Sequence, residues 1–248
     1  MMEGKGAVVV GLLLAALVLG CVAVAGTVIE LERVWYERTD HFNHPDEPAP
    51  YWTLYQPDSC CWSLLERPGT LTIRTQQGVT KNLLWQELSA VEQDLNFEIE
   101  THVVFDPIEA FHFAGLTIRE DEQTFVNFGL AYCPSAIISG QSIYCVDDGL
   151  YFDLSDGVTG NPNFATKTCS PFAARLRLVR RDTTVSAYYS EDGIHWVLIG
   201  EHQLTFAPIH VGIHAGQGGT TFPDVERPAS FDYFTVRFFA PPCELEQP

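Results

Sequence analysis

Two kinds of side chain in this sequence could do chemistry: closely spaced carboxylates, and aromatics set beside amides and imidazoles. Glu98 with Glu100, and Asp121 with Glu122, are the carboxylate pairs. A retaining acid/base pair that cleaves a glycosidic bond needs its carboxyls roughly 5 Å apart across a cleft. Strand residues one apart point to opposite faces, and residues two apart share a face but must still flank a substrate. No GxSxG elbow, HExxH pair or phosphate-binding glycine loop occurs. The second group comprises Trp85 and Gln86 in "LLWQ", His112 in "FHFAGL", Asn127 in "FVNFG" and Tyr151 in "GLYFDL". Aromatic faces stack on sugar rings and amides or imidazoles pair their hydroxyls, so these residues converging on one surface would hold a carbohydrate. Taken singly, each has a plainer reading, Trp85 as a core residue and His112 as a hydrogen-bonded sheet histidine.

Short strands must position these groups. Runs such as "GTLTIRT", "LNFEIETHVVF", "FHFAGLTIRE", "TFVNFGLAY", "LYFDLS", "ARLRLVRR" and "FDYFTVRFF" are separated by Gly, Pro, Asp and Asn and predict roughly ten strands. No helical period emerges after residue 30; only "LLWQELSAVEQ" has room for a turn or two of helix. The fold class is all-β. In "NFEIETHVVF" the set Phe97, Ile99, Thr101, Val103 opposes Asn96, Glu98, Glu100, His102, giving one dry and one wet face. In "TFVNFGLAY" both sets are largely apolar, which suits a central strand whose second face is covered or grooved. Two longer segments, "GVTGNPNFATKTCSPF" and "AGQGGTTFPDVERPA", read as loops.

The 248 residues carry 14 Lys and Arg against 32 Asp and Glu, a net charge of −18. That balance opposes nucleic acid and anionic lipid headgroups as partners, while neutral glycans and calcium remain compatible with it. Ala7 to Ile29 contains no charged residue, and as a helix it would be roughly 34 Å long, enough to span a bilayer. Three readings of this stretch stay open: a lipoprotein signal with Cys21 of "VLGC" lipidated, a signal peptide cleaved before Gly26, or an uncleaved anchor. All three place the remaining chain outside the cytoplasm, with the membrane touched through this segment only. Residues 27–39 then read as a tether, 40–240 as the folded domain and 241–248 as a tail. Setting Cys21 aside, Cys60, Cys61, Cys133, Cys145, Cys169 and Cys243 remain; an even number in an oxidising compartment suggests disulfides of undetermined pairing. No CxxC or HxxxH spacing supports zinc.

The stretch "YYSEDGIHW" invites comparison with the Asp-box of sialidase-like propellers, but Gly193 and Trp196 each fall one position early and no second copy occurs. Asp192-Gly193 between β-branched and aromatic flanks reads instead as a hairpin turn, with Trp196 as a core residue.

Six stretches in order, "WSLLERPGTLTIRT", "NLLWQ", "FEIETHVVFDP", "AGLTIREDEQTFVNFGL", "RLRLVRRDTTVSAYYSEDGIHWVLIG" and "FDYFTVRF", resemble the concanavalin A-like jelly-roll domain at the C-terminus of family 43 glycoside hydrolases. The resemblance covers about residues 40–240 and implies a two-sheet β-sandwich of the lectin and glucanase type. It does not imply catalysis, which in such hydrolases resides in paired carboxylates of a separate propeller domain for which this chain has no room. The expectation is a non-catalytic module that binds an oligo- or polysaccharide at a cell surface, with Trp85, Gln86, His112, Asn127 and Tyr151 on the concave sheet. A glycoside hydrolase acting through carboxylates on that sheet and a purely structural or adhesive domain are the alternatives. Jelly rolls of this type often tie their ends with a structural calcium ion; Asp40 in "TDHF" and Asp232 in "FDYF" are its candidate ligands here.

Overall fold

The computed structural model describes residues 21–24, 27–30, 33–44, 48–55, 61–77, 82–133, 147–157, 164–166, 172–218 and 223–240; at 21–30, 54–55, 82–85 and 147 it describes the backbone only. Two antiparallel sheets dominate. One has seven strands in the order β12 (Phe164–Thr166), β11 (Asp147–Ser155), β10 (Phe125–Cys133), β9 (His112–Arg119), β16 (His210–Gln217), β7 (Asn82–Glu87) and β4 (Thr53–Tyr55). The other has β15 (Val197–Gln203), β14 (Thr184–Ser190), β13 (Ala173–Arg181), β8 (Phe97–Phe105), β17 (Pro228–Phe239), β6 (Leu71–Arg74) and β5 (Trp62–Ser63), with β3 (Val34–Asp40) also on β17. The long strand β17 pairs β6 through its first part and β3 through its second.

The core lies between the sheets. Leu116, Phe128, Phe152 and Ile213 from the first sheet meet Phe97, Leu176, Phe231 and Val236 from the second, all fully buried. Each such side chain contributes about 1.5–3 kcal/mol by leaving water. The alternation in β8 is complete, its odd positions buried and its even ones half-exposed. Strand β10 is buried on both faces along most of its length, because one face joins the core and the other floors the groove described below.

Several expectations change on contact with the structure. The tether ends sooner than residue 39, since β3 begins at Val34 and pairs β17. "LLWQE" is strand, and the helix that follows, α1 (Ala90–Asp94), is a single turn opened by a capping box of Ser89 and Glu92. The apolar stretch falls mostly outside the described residues, but β1 (Cys21–Val24) and β2 (Thr27–Glu30) form an antiparallel ribbon in place of the expected helix. No helix among the described residues is long and apolar enough to cross a membrane. Cys61 and Cys133 are each disulfide-bonded; Cys60, Cys145, Cys169, Cys243 and the tail at 241–248 lie outside the described residues.

The β14–β15 connection is the expected turn. Gly193 has φ of +79°, and the Asp192 carboxylate accepts from the backbone N–H groups of Ile194 and His195, both at 2.8 Å. Trp196 is not a core residue. It is half-buried on the outer face of the eight-stranded sheet, and the Arg177 guanidinium lies 3.9 Å from its ring centre.

Candidate functional site

Register decides which residues can act together. Across the seven-stranded sheet, directly paired residues share a face, so one row runs Asp153, Asn127, Thr117, Gly212, Trp85, Thr53. The next row runs Tyr151, Gly129, Gly115, His214. A third contains Ala131, Phe113 and Gly216. The intervening rows, with Leu116, Phe128 and Ile213, belong to the core. Asn127, Tyr151 and the register position of Trp85 therefore share the outer, non-core face. Two expected members have the core-facing parity, although His112, at the start of β9, also lines the cavity described below.

Gln86 pairs with Val211, a core residue, and is itself buried at 3% exposure with Oε1 lacking a partner. Adjacent strand residues cannot serve one face, so Trp85 and Gln86 are necessarily divided. His112 pairs with Gln217 on the core-facing parity, and its ring is fully committed. Its Nδ1 accepts from the backbone N–H groups of Ile108 and Glu109, and its Nε2 donates to the Val225 carbonyl at 2.8 Å. Burial pushes its pKa down, so it is a neutral structural histidine.

The outer face holds a cavity of about 290 Å³ lined by Phe113, Asn127, Tyr151, Asp153 and His214 among others. At about 30 Å³ per water that is room for roughly ten water molecules, the size of one sugar unit or a little more. The register row between Tyr151 and His214 is bare of side chains, because Gly129 and Gly115 face each other there across the strands. A Cβ on Gly115 would stand 2.2 Å from the Phe128 carbonyl oxygen, and one on Gly129 would stand 2.3 Å from that of Ala114. Interior strand glycines of this kind mark close backbone approach. The result is a slot three inter-strand spacings wide, about 14 Å between the backbones of Tyr151 and His214. Phe113 closes part of it, its ring centre 5.1 Å from that of His214.

Asn127 and Asp153 sit side by side at one end, each with Oδ1 buried and without a hydrogen-bond partner. Burial alone pushes the Asp153 carboxyl up to about 6. Sequence reasoning missed Asp153 and His214. Asp153 was reachable, since in "GLYFDL" it lies two residues past Tyr151 and so on the same face; His214 required knowledge of which strand lies beside β9.

The carboxylate pairs considered for acid/base chemistry are elsewhere and occupied. Glu100 receives two hydrogen bonds from Arg177, at 3.0 and 2.6 Å, and one from the Tyr233 hydroxyl at 2.7 Å; Glu98 pairs with Arg237. Asp121 accepts from the backbone N–H groups of Gln123 and Thr124, which lowers its pKa and marks a turn. The two calcium candidates, Asp40 and Asp232, each contact protein groups. Asp40 is buried and accepts from the Phe42 N–H, the Tyr51 hydroxyl and the Trp52 indole at 2.7–3.0 Å, fastening the loop after β3. Asp232 pairs with His102 Nδ1 at 2.5 Å. Among the described residues no cluster of three or more His, Cys, Asp or Glu could hold a metal.

A two-sheet sandwich with a grooved seven-stranded face defines the concanavalin A-like class. The chain belongs to the beta xylosidase C-terminal concanavalin A-like domain family, matched over residues 39–237. Its fold is that of a family 43 glycoside hydrolase from Bacillus licheniformis (21% identity, TM-score 0.66, covering 85% of this chain and 41% of that one). It is equally similar to a xylan beta-1,4-xylosidase from Bacillus halodurans (21%, 0.63, 85% and 41%). The chain thus spans about two fifths of those proteins. An uncharacterised protein from Mycobacterium paratuberculosis shares the fold over 80% of this chain and 99% of its own (11%, 0.55). No curated protein matches the chain.

Proposed function

We propose that this protein is a non-catalytic carbohydrate-binding sandwich acting outside the cytoplasm, with the glycine-floored slot on the seven-stranded sheet as its site. The observation that carries this reading is the slot itself: a bare backbone floor walled by Tyr151, His214 and Phe113, with unpartnered polar groups at one end. A sugar ring lies flat on such a floor, stacks against the aromatic walls and offers hydroxyls to Asn127 and Asp153. Kinship with domains of xylosidases makes β-1,4-xylo-oligosaccharides the first ligands to try. Among the described residues that line the cavity Asp153 is the single carboxylate, and glycosidic cleavage by the usual route needs two. The apolar stretch at 7–29 and the disulfide-bonded Cys61 and Cys133 support action outside the cytoplasm.

Isothermal titration of the chain with xylotriose and xylohexaose at pH 7.5, alongside an assay for reducing sugar, tests the reading. Expected is weak binding, on the order of micromolar to millimolar, because short glycans bury little apolar area. Changing Tyr151 to Ala should abolish it. Release of sugar would replace the reading with a hydrolase, and silence on these and on a broader glycan panel would leave a structural or adhesive domain.

A further inference from the structure

Asp153 and Asn127 pose a problem that the rest of the fold does not solve. Nearly every buried polar atom in a folded protein finds a partner, and an orphaned acceptor forfeits a hydrogen bond. Here two acceptor atoms, Oδ1 of each residue, are buried in adjacent register positions at the wall of one cavity, and neither has a donor. Two acceptors side by side call for donors, and both residues line the cavity. Asp153 is also not held by an opposing charge: burial is its one perturbing influence. Among the described residues, the charged or titratable groups around it are Tyr151 on its own strand, Arg119 and His112 on β9, Tyr132 on β10 and His214 on β16; β10 also contributes the neutral Asn127 and Phe125. The Arg119 guanidinium is turned to Thr117 Oγ1 at 2.9 Å and to the Phe125 ring.

Resting on the slot as a sugar site, we infer that Asp153 and Asn127 form its hydroxyl-recognition end, taking donor hydroxyls of a neutral sugar and rejecting sugars that carry a carboxylate. A uronate brings acceptors and negative charge to a place that already has both, in a protein of net charge −18. A neutral sugar brings two adjacent hydroxyls. Hydrogen bonds to an ionised carboxylate are the stronger kind, so occupancy favours ionised Asp153 and binding releases its proton where the free protein still holds it.

The test uses the whole chain and a matched pair of probes, a neutral xylo-oligosaccharide and its glucuronic acid-substituted counterpart, titrated from pH 5 to 7.5 in buffers of different ionisation enthalpy. The wild type should prefer the neutral probe at least about tenfold, lose about tenfold in affinity between pH 7.5 and pH 5, and release a proton on binding near pH 6. D153N should bind the neutral probe about tenfold or more weakly at pH 7.5, with a flat pH profile and no proton release; N127A should weaken binding and keep the pH profile. Because D153N removes a buried charge, it should melt no lower than the wild type at neutral pH, which separates lost recognition from lost folding. Wild-type binding that D153N leaves unchanged in strength and pH profile would overturn the inference and leave the sugar site standing. Equal affinity for the two probes would overturn the neutral-sugar selection. No wild-type binding of any glycan would overturn both.

Discussion

Changing Asp153 to Asn should stabilise this protein, and by an amount that depends on pH in one direction. The folded-state carboxyl is pushed up to about 6 from an ordinary value of 3.8, because burial in the cavity wall disfavours its charged form and no opposing charge offsets that. A carboxyl whose pKa is raised on folding contributes no penalty below pH 3.8, where both states are protonated. Between 3.8 and about 6 the unfolded chain ionises while the folded one holds its proton, so stability falls as pH rises. Above about pH 6 the loss is complete, and at 1.36 kcal/mol per pKa unit it amounts to about 3 kcal/mol. Asparagine has nearly the same shape and no charge. The difference in stability between D153N and wild type should therefore rise by about 3 kcal/mol from pH 3.5 to pH 8, other titrations cancelling in the comparison. For a chain of this size that is roughly 6–12 °C in Tm. Thermal melts of both proteins followed by circular dichroism across that range check it. A difference that stays flat with pH, or that grows towards acid, would mean that the fold compensates the Asp153 charge.

Three further outcomes follow from the same geometry. Gly115→Ala and Gly129→Ala each drive a Cβ to within 2.3 Å of a backbone oxygen, so each should lower stability in urea by at least about 1–3 kcal/mol, the range of overpacking, and disturb the slot floor. Asp40→Ala removes a buried acceptor shared by Phe42, Tyr51 and Trp52; it should cost about 3 kcal/mol or more by calorimetry, whereas calcium or a chelator should leave the wild-type Tm unchanged if protein donors alone satisfy that carboxylate. Arg177→Ala removes the paired bonds to Glu100 and the contact over Trp196, so intrinsic Trp fluorescence should shift and stability fall by about 1–3 kcal/mol, with glycan affinity unaltered because the pair lies on the other sheet.

Much of the fold was legible because period-two alternation is a local property. Phe97, Ile99, Thr101 and Val103 announce their dry face within nine residues, and the structure buries that set. The short strands were harder to see: β4, β5 and β12 span two or three residues each, too few for a pattern, and are held by their neighbours. The candidate site was legible only in part. Asn127 and Tyr151 share the outer face of the seven-stranded sheet and line its cavity, but Gln86 and His112 have the core-facing parity, which only the pairing with Val211 and Gln217 reveals, and of these two His112 still reaches the cavity from the strand end. The Gly115–Gly129 floor was hidden for the same reason, each glycine looking like an ordinary interruption of its strand until the register sets them opposite each other. Trp196 misled through its type: a large aromatic after a turn suggests core, yet here it serves as the surface on which Arg177 rests.

Titrating xylo-oligosaccharides into 15N-labelled protein shows whether the slot between Tyr151 and His214 holds a neutral sugar. A sugar in the slot should give saturable shifts of the Gly115, Gly129, Asn127 and Asp153 amides, absent in Y151A. Shifts confined to the eight-stranded sheet, or saturable binding that Y151A and D153N both leave intact, would contradict it.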